Sequence, residues 1–222
     1  MNQNIKIAVL GGGGRTGQYL VNYLIKKGYS LKVLLRNVPE ADNLSADPFY
    51  SNLQNPLVEI VKGDAVNQRD IKILLSGCQA VISTIGQRPG EPMVASAATE
   101  NILRVMKEFT MKRYILVAGI NVDTPSDRKS EPVKAATAWM KNTFPAIHED
   151  RARAYEMLSN SDADWTLIRL PVIEYTGESF PVMVNTEDCP GAKISTADIA
   201  IFLEQQIFDK RYTRQAPFLY NI

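Results

Sequence analysis

The chain is poor in the residues on which much metal and hydrolytic chemistry depends. It has a single histidine, His148. A multi-histidine metal centre is therefore excluded, and any Ser-His-Asp or Cys-His arrangement would have to pass through that one residue. Its two cysteines, Cys78 and Cys189, form neither a CxxC pair nor a dense framework, so two buried free thiols are expected. Charge of one sign is also scarce: 25 basic residues against 24 acidic ones leave a net charge of +1, with no basic run. General nucleic-acid binding, which needs a dense positive surface, is excluded on that ground. No stretch reaches the roughly 18 apolar residues of a membrane span. The opening "MNQNIKIAVL" enters an apolar strand at once, leaving no room for a signal peptide. These absences lead to the expectation of a cytoplasmic protein with no metal, membrane or nucleic-acid partner.

What is present is a rhythm. Short apolar runs, "IKIAVLG" (5–11), "LKVLLR" (31–36), "LVEIVKGD" (57–64), "AVISTIG" (80–86), "RYILVAG" (113–119) and "DWTLIRL" (164–170), read as strands. Most are continuously apolar, as parallel strands covered on both faces are. Helical spacing fills the gaps at 15–28 and 98–112, and 67–77 ends in a glycine stop. This βαβ alternation predicts an α/β fold with a doubly wound parallel sheet. Residues 37–56 are polar and read as a loop with a short helix; 121–149 hold Pro125, Pro132 and Pro145 around one helical piece, 132–142. Trp139, Met140 and Phe144 in that stretch read as ordinary packing rather than an apolar substrate wall. The run 194–208 is helical, with Ser195 and Asp198 at capping-box spacing, and 216–222 is a candidate closing strand. Residues 1–222 are expected to form one domain, in which 172–222 make a substrate-side lobe that does not fold alone.

The first strand runs into "GGGGRTG". Gly12, Gly14 and Gly17 fit G-x-G-x-x-G, while Gly11, Gly14 and Gly17 fit G-x-x-G-x-x-G. Both registers use Gly14, for close approach of a phosphate at a positive φ, and Gly17, for close helix–strand packing. The loop follows a strand and opens a helix, whose N-terminal N–H groups suit a pyrophosphate. At the end of the second strand an NAD site usually carries an acid for the ribose 2′-hydroxyl. Here Arg36 and Asn37 stand there instead. A guanidinium pairs with a 2′-phosphate through its rigid fork of donors, so NADP(H) is expected in preference to NAD(H). Arg15 is near enough in sequence to join it.

With "VKGDAVNQRDI", "AVISTIG", "RYILVAG" and "DWTLIRLP" following in that order, the chain resembles the atypical short-chain dehydrogenase/reductases, and within them the NAD(P)H-binding branch of NmrA-like proteins and biliverdin-IXβ/flavin reductases. The resemblance implies an NAD(P)-binding Rossmann fold. It further implies that Gly11, Gly14, Arg15, Thr16 and Gly17 hold the pyrophosphate side and Arg36 the 2′-phosphate. Asp64 and Ala65 would border adenine, Thr84 and Gly86 the nicotinamide ribose, and Pro171 the nicotinamide. The departures concern the reaction. Conventional members use Ser plus Tyr-x-x-x-Lys, the tyrosine donating a proton. Here Gly119 ends the fifth strand, and Ile147 and Arg151 fall at the tyrosine and lysine spacings. Tyr23 and Lys27 match the motif by accident, in the first helix. His148, Arg151 and Tyr155 remain as catalytic candidates.

Three readings follow. The first is an NADPH-dependent oxidoreductase passing hydride to a small conjugated acceptor such as a flavin or quinone, which takes its proton from water. The second is a non-catalytic NmrA-like redox sensor. The third is a nucleotide-sugar epimerase or dehydratase, disfavoured by the missing Ser-Tyr-Lys set and the short C-terminal portion. Monomer and homodimer are both open.

Overall fold

A computed structural model describes residues 5–38, 49 and 52–222. Of the loop expected over 37–56, residues 39–48, 50 and 51 lie outside these. Eight strands form the main sheet in the order β3-β2-β1-β4-β5-β6-β10-β8. They are β1 (Lys6–Leu10), β2 (Ser30–Leu35), β3 (Val58–Lys62), β4 (Ala80–Ser83), β5 (Arg113–Gly119), β6 (Asp164–Leu170), β8 (Val182–Asn185) and β10 (Phe218–Asn221). All pairs are parallel except β10 with the edge strand β8, so the doubly wound sheet carries one antiparallel edge. A separate parallel pair, β7 (Val172–Glu174) and β9 (Lys193–Ser195), has no counterpart in the sequence reading.

Alternation along the strands builds two cores. Ile7 and Val9 of β1, Leu31 and Val33 of β2, Ile115 and Ile168 point to one face. There they meet Leu20, Val21 and Leu24 of α1 (Arg15–Lys26) and Ile199, Phe202 and Leu203 of α6 (Thr196–Gln205). Ala8, Leu10, Leu34, Val81, Leu116 and Leu167 point to the other. They are covered by α2 (Gln68–Leu75), α3 (Ala95–Glu108) and, through Leu158, α5 (Pro145–Ser159). Covering both faces removes every central strand from water, which is why those runs are continuously apolar. Both cysteines are buried and free; burial pushes the Cys78 thiol up to about 11 and that of Cys189 to about 12.

Three local expectations change. The helical piece 132–142 is α4 (Glu131–Thr143), and the helix through "IHEDRARAY" (147–155) is α5, which already starts inside 121–149; each is opened by a proline (Pro132, Pro145) in its first turn, where a missing N–H costs nothing. Trp139 and Phe144 are neither core nor cavity wall: they are 60% and 42% exposed and meet edge to face. Ser195 caps α6 by accepting from the Asp198 N–H, but the Asp198 carboxylate does not return to the Ser195 N–H. That N–H donates to Asn221 of β10, and the buried Asp198 carboxylate instead accepts from Ser195 Oγ, Asn221 Nδ2 and the Phe180 N–H. A long-range network replaces the local box because β10 brings Asn221 within reach.

Candidate functional site

The strand order reverses between β1 and β4, and a cleft of about 540 Å³ opens there across the carboxyl ends of the strands. That is where open α/β sheets bind ligands, and the size suits a cofactor with a small molecule beside it. The β1–α1 loop forms its floor. Gly11 takes φ +78°, and a Cβ there would lie 2.7 Å from the Thr84 carbonyl carbon, so two constraints demand glycine. The positive φ therefore falls at Gly11 and not at Gly14, which is extended at φ −80° and is the N-cap of α1. Gly17 does not line the cleft. It is buried beneath, where a Cβ would overlap the Gly11 carbonyl, so its contribution is close packing of helix on loop.

No side chain caps α1 and no acid sits in its first turn. Other helices here are closed off differently: Asn67 caps α2, and both carboxylate oxygens of Asp150 accept from the Ala95 and Ser96 N–H groups at the start of α3. At α1 the first-turn N–H groups, with Arg15 and Thr16 lining the cleft, are left for a ligand anion. Thr84 bonds back to this loop, its Oγ1 lying 3.3 Å from both the Leu10 and Gly11 carbonyls. Its hydroxyl proton is thus committed, leaving only its lone pairs to a ligand.

Around this floor the cleft gathers Arg36 at the end of β2, Asp64 and Ala65 after β3, Gly86 after β4 and Pro171 after β6. Asp64 Oδ1 accepts from the Val66 N–H at 3.1 Å, a turn bond that leaves the second oxygen without a bond among the described residues. Arg36 is not free. Its guanidinium makes a forked pair with Glu91 at 2.7 and 3.0 Å, which raises the Arg36 pKa and holds the Glu91 carboxyl below its usual range. Arg15 does not join Arg36 but lies over the Tyr175 ring, 3.8 Å from its centroid. Gln87 Nε2 donates to the carbonyls of Glu91 and Pro92, while its buried Oε1 has no donor among the described residues. The open α1 terminus, a guanidinium at the β2 end and this orphaned acceptor together fit a dinucleotide.

Glu91 and Tyr175 were not legible in the sequence. Each acts through a partner far along the chain, and the only local hints were an acid in the turn "RPGEP" and an aromatic just past β7. The catalytic candidates separate. Arg151 lines the inner end of the cleft beside Ala118 and Gly119. Tyr155, one helical turn on, lines a recess of about 30 Å³ behind it, packs edge to face on Trp165, and is raised in pKa by burial. His148 and Ile147 line neither space, and His148 Nδ1 is buried without a partner among the described residues.

A doubly wound sheet with a glycine-rich turn, an uncapped helix and a cleft at the strand-order reversal defines a dinucleotide-binding Rossmann protein. The family model described as NAD(P)H-binding matches residues 11–210, and the chain belongs to that family. Among curated proteins it is similar to an isoflavone reductase homologue from Nicotiana tabacum, 24% identical over 213 residues, covering 95% of this chain and 66% of the relative. The chain spans less than two thirds of the length of the first curated relatives it matches. Its fold matches a short-chain dehydrogenase/reductase from Veillonella parvula in complex with NADP, with a TM-score of 0.78 at 15% identity over 99% of this chain and 95% of that one. It also matches an anaerobilin reductase from Escherichia coli, with a TM-score of 0.75 at 18% identity over 97% of each. Among the described residues no helix is long and apolar enough to cross a membrane.

Proposed function

We propose that the protein is an NADP(H)-dependent reductase that delivers hydride to a flat conjugated acceptor such as a flavin or quinone. The observation that carries this reading is a cleft equipped for the cofactor at one end and bare of a positioned acid at the other. Across the β2 and β3 ends stand Arg36 for a 2′-phosphate and Asp64 for the adenine amine. The α1 N–H groups lie in the middle for the pyrophosphate. Thr84, Gly86 and Pro171 then border the nicotinamide side. Bound NADPH supplies the hydride.

At the inner end Gly119 offers no hydroxyl, and Ile147 and His148 lie outside the cleft. A simple ketone would need such a group, because its oxygen gains charge that must be protonated. A conjugated ring spreads that charge and takes its proton from water. Residues 172–222 act in this reading as the substrate-side lobe of a single unit, bringing Ile173 and Tyr175 to the cleft wall. The two free buried thiols suit a reducing compartment, the cytoplasm.

The test is a screen of NADPH and NADH oxidation over flavins, quinones, ketones and nucleotide sugars, with cofactor titration alongside. The expected result is turnover with flavins or quinones and tighter binding of NADPH than NADH. Tight NADPH binding with no acceptor reduced would move the assignment to a redox sensor.

A further inference from the structure

Four arginines line the cleft, and three are engaged. Arg36 and Arg88 lie 2.7 and 3.7 Å from Glu91, and Arg15 lies over Tyr175. The fourth, Arg151, makes no hydrogen bond or ion pair among the described residues. Its neighbour Asp150 acts on it only through space, both of its oxygens accepting at the start of α3. Among the described residues the two carboxylates of the cleft, Asp64 and Glu91, belong to its other end, after β3 and in the β4–α3 loop. Burial disfavours the charge on Arg151, yet a guanidinium remains charged at any working pH. The Asp150 charge offsets part of this through space, but a half-buried guanidinium whose N–H groups have no acceptor is costly, and an anion from outside removes the cost.

We infer that Arg151 forms an acceptor-binding subsite and that the acceptor carries a carboxylate held by this guanidinium. The inference rests on the reductase reading above and names its substrate class. Arg151 lines both the cleft and the recess behind it, together with Ile85, Val117 and Ala118. Those apolar side chains lower the local dielectric and strengthen a charge-assisted pair. The recess is about 30 Å³, room for a carboxylate but not for a ring, which would stay in the cleft. A single guanidinium balances one negative charge, which matches a carboxylate; a phosphomonoester, at nearly two, would call for a second cation, and Arg151 is the one cationic side chain among the described residues lining the recess. Tyr155, on the same face of α5, adds a protonated hydroxyl at the recess wall.

The test uses naphthoate and naphthamide, flat rings of the same size that differ in charge, binding to the 222-residue chain with and without NADP+. Binding is measured by calorimetry for wild type, Arg151→Lys and Arg151→Gln. Wild type should favour naphthoate by about tenfold or more. Arg151→Gln should abolish that preference with naphthamide unchanged, and Arg151→Lys should keep part of it. Melting curves establish that both variants fold, and retained preference in Arg151→Lys separates the charge effect from any collapse of the site. Equal affinity for the two ligands in a wild type that binds NADP+ overturns the subsite and leaves the reductase reading standing. Weakened NADP+ binding in Arg151→Gln, with the naphthoate preference intact, assigns the guanidinium to the cofactor and also overturns it. A naphthoate preference lost in Arg151→Gln, in a protein that binds no NADP+, upholds the anion subsite and removes the reductase reading.

Discussion

Glu91 should act as a competitor for the 2′-phosphate. Arg36 donates to both Glu91 oxygens, at 2.7 and 3.0 Å, so NADPH must take the guanidinium from a carboxylate or share it. Both side chains are more than a third exposed, 39% and 37%, so solvent screens the pair and it is easily exchanged. Glu91→Gln removes the competing charge and its repulsion of the phosphate. NADPH affinity should rise by about two- to fivefold at low salt. NADH, with no phosphate at that position, should bind unchanged. Arg36→Ala acts in the opposite sense and more strongly. Loss of charge-assisted bonds to a phosphate costs about 1.5–3 kcal/mol, or about one to two decades in NADPH affinity. The assay is equilibrium titration of both cofactors against wild type and both variants at two ionic strengths, since screening should shrink both effects. Equal NADPH and NADH affinity in the wild type would refute the argument, as would a Glu91→Gln protein that binds NADPH no better.

The two loop glycines should fail in different ways. Gly14→Val, at an extended N-cap with 3.3 Å from its Cβ to the Gly11 carbonyl, should fold while losing NADPH binding; Gly11→Val, at φ +78° against the Thr84 backbone, should also lower the melting temperature, read by calorimetry. Asp150→Ala strips both caps from the start of α3 and should cost about 1–2 kcal/mol in urea unfolding. Tyr155→Phe should leave quinone reduction within a few-fold of wild type, against the roughly 10²–10⁴ lost when a true proton donor is removed, as steady-state kinetics will show.

Much of the fold was legible because it is written in local pattern. β5 and β6 occupy 113–119 and 164–170 residue for residue, since their apolar runs start at a charge and end at Gly119 in one and before Pro171 in the other. The β1–α1 turn was legible for the same reason. What pattern does not carry is pairing across distance: Arg36 with Glu91 are 55 residues apart, and Asp198 with Asn221 are 23 apart. Helix α5 was legible through "IHEDRARAY" (147–155) but its bounds were not, because its apolar face is narrow, burying Ala154 and Leu158 while Asp150 caps a neighbour. The spacing argument that set Ile147 and Arg151 side by side could not tell which of them turns inward. Only the packing of α5 on α3 decides that Arg151 reaches the cleft and His148 does not.

The central claim is hydride delivery to a conjugated acceptor from a cofactor held at the α1 terminus. The most direct measurement is an anaerobic single turnover, mixing protein in excess over NADPH with a water-soluble quinone and following the reduced nicotinamide. Bound NADPH should be oxidised far faster than free NADPH, with no acceleration in Gly14→Val. NADPH that binds tightly yet is oxidised no faster than in buffer would contradict the account.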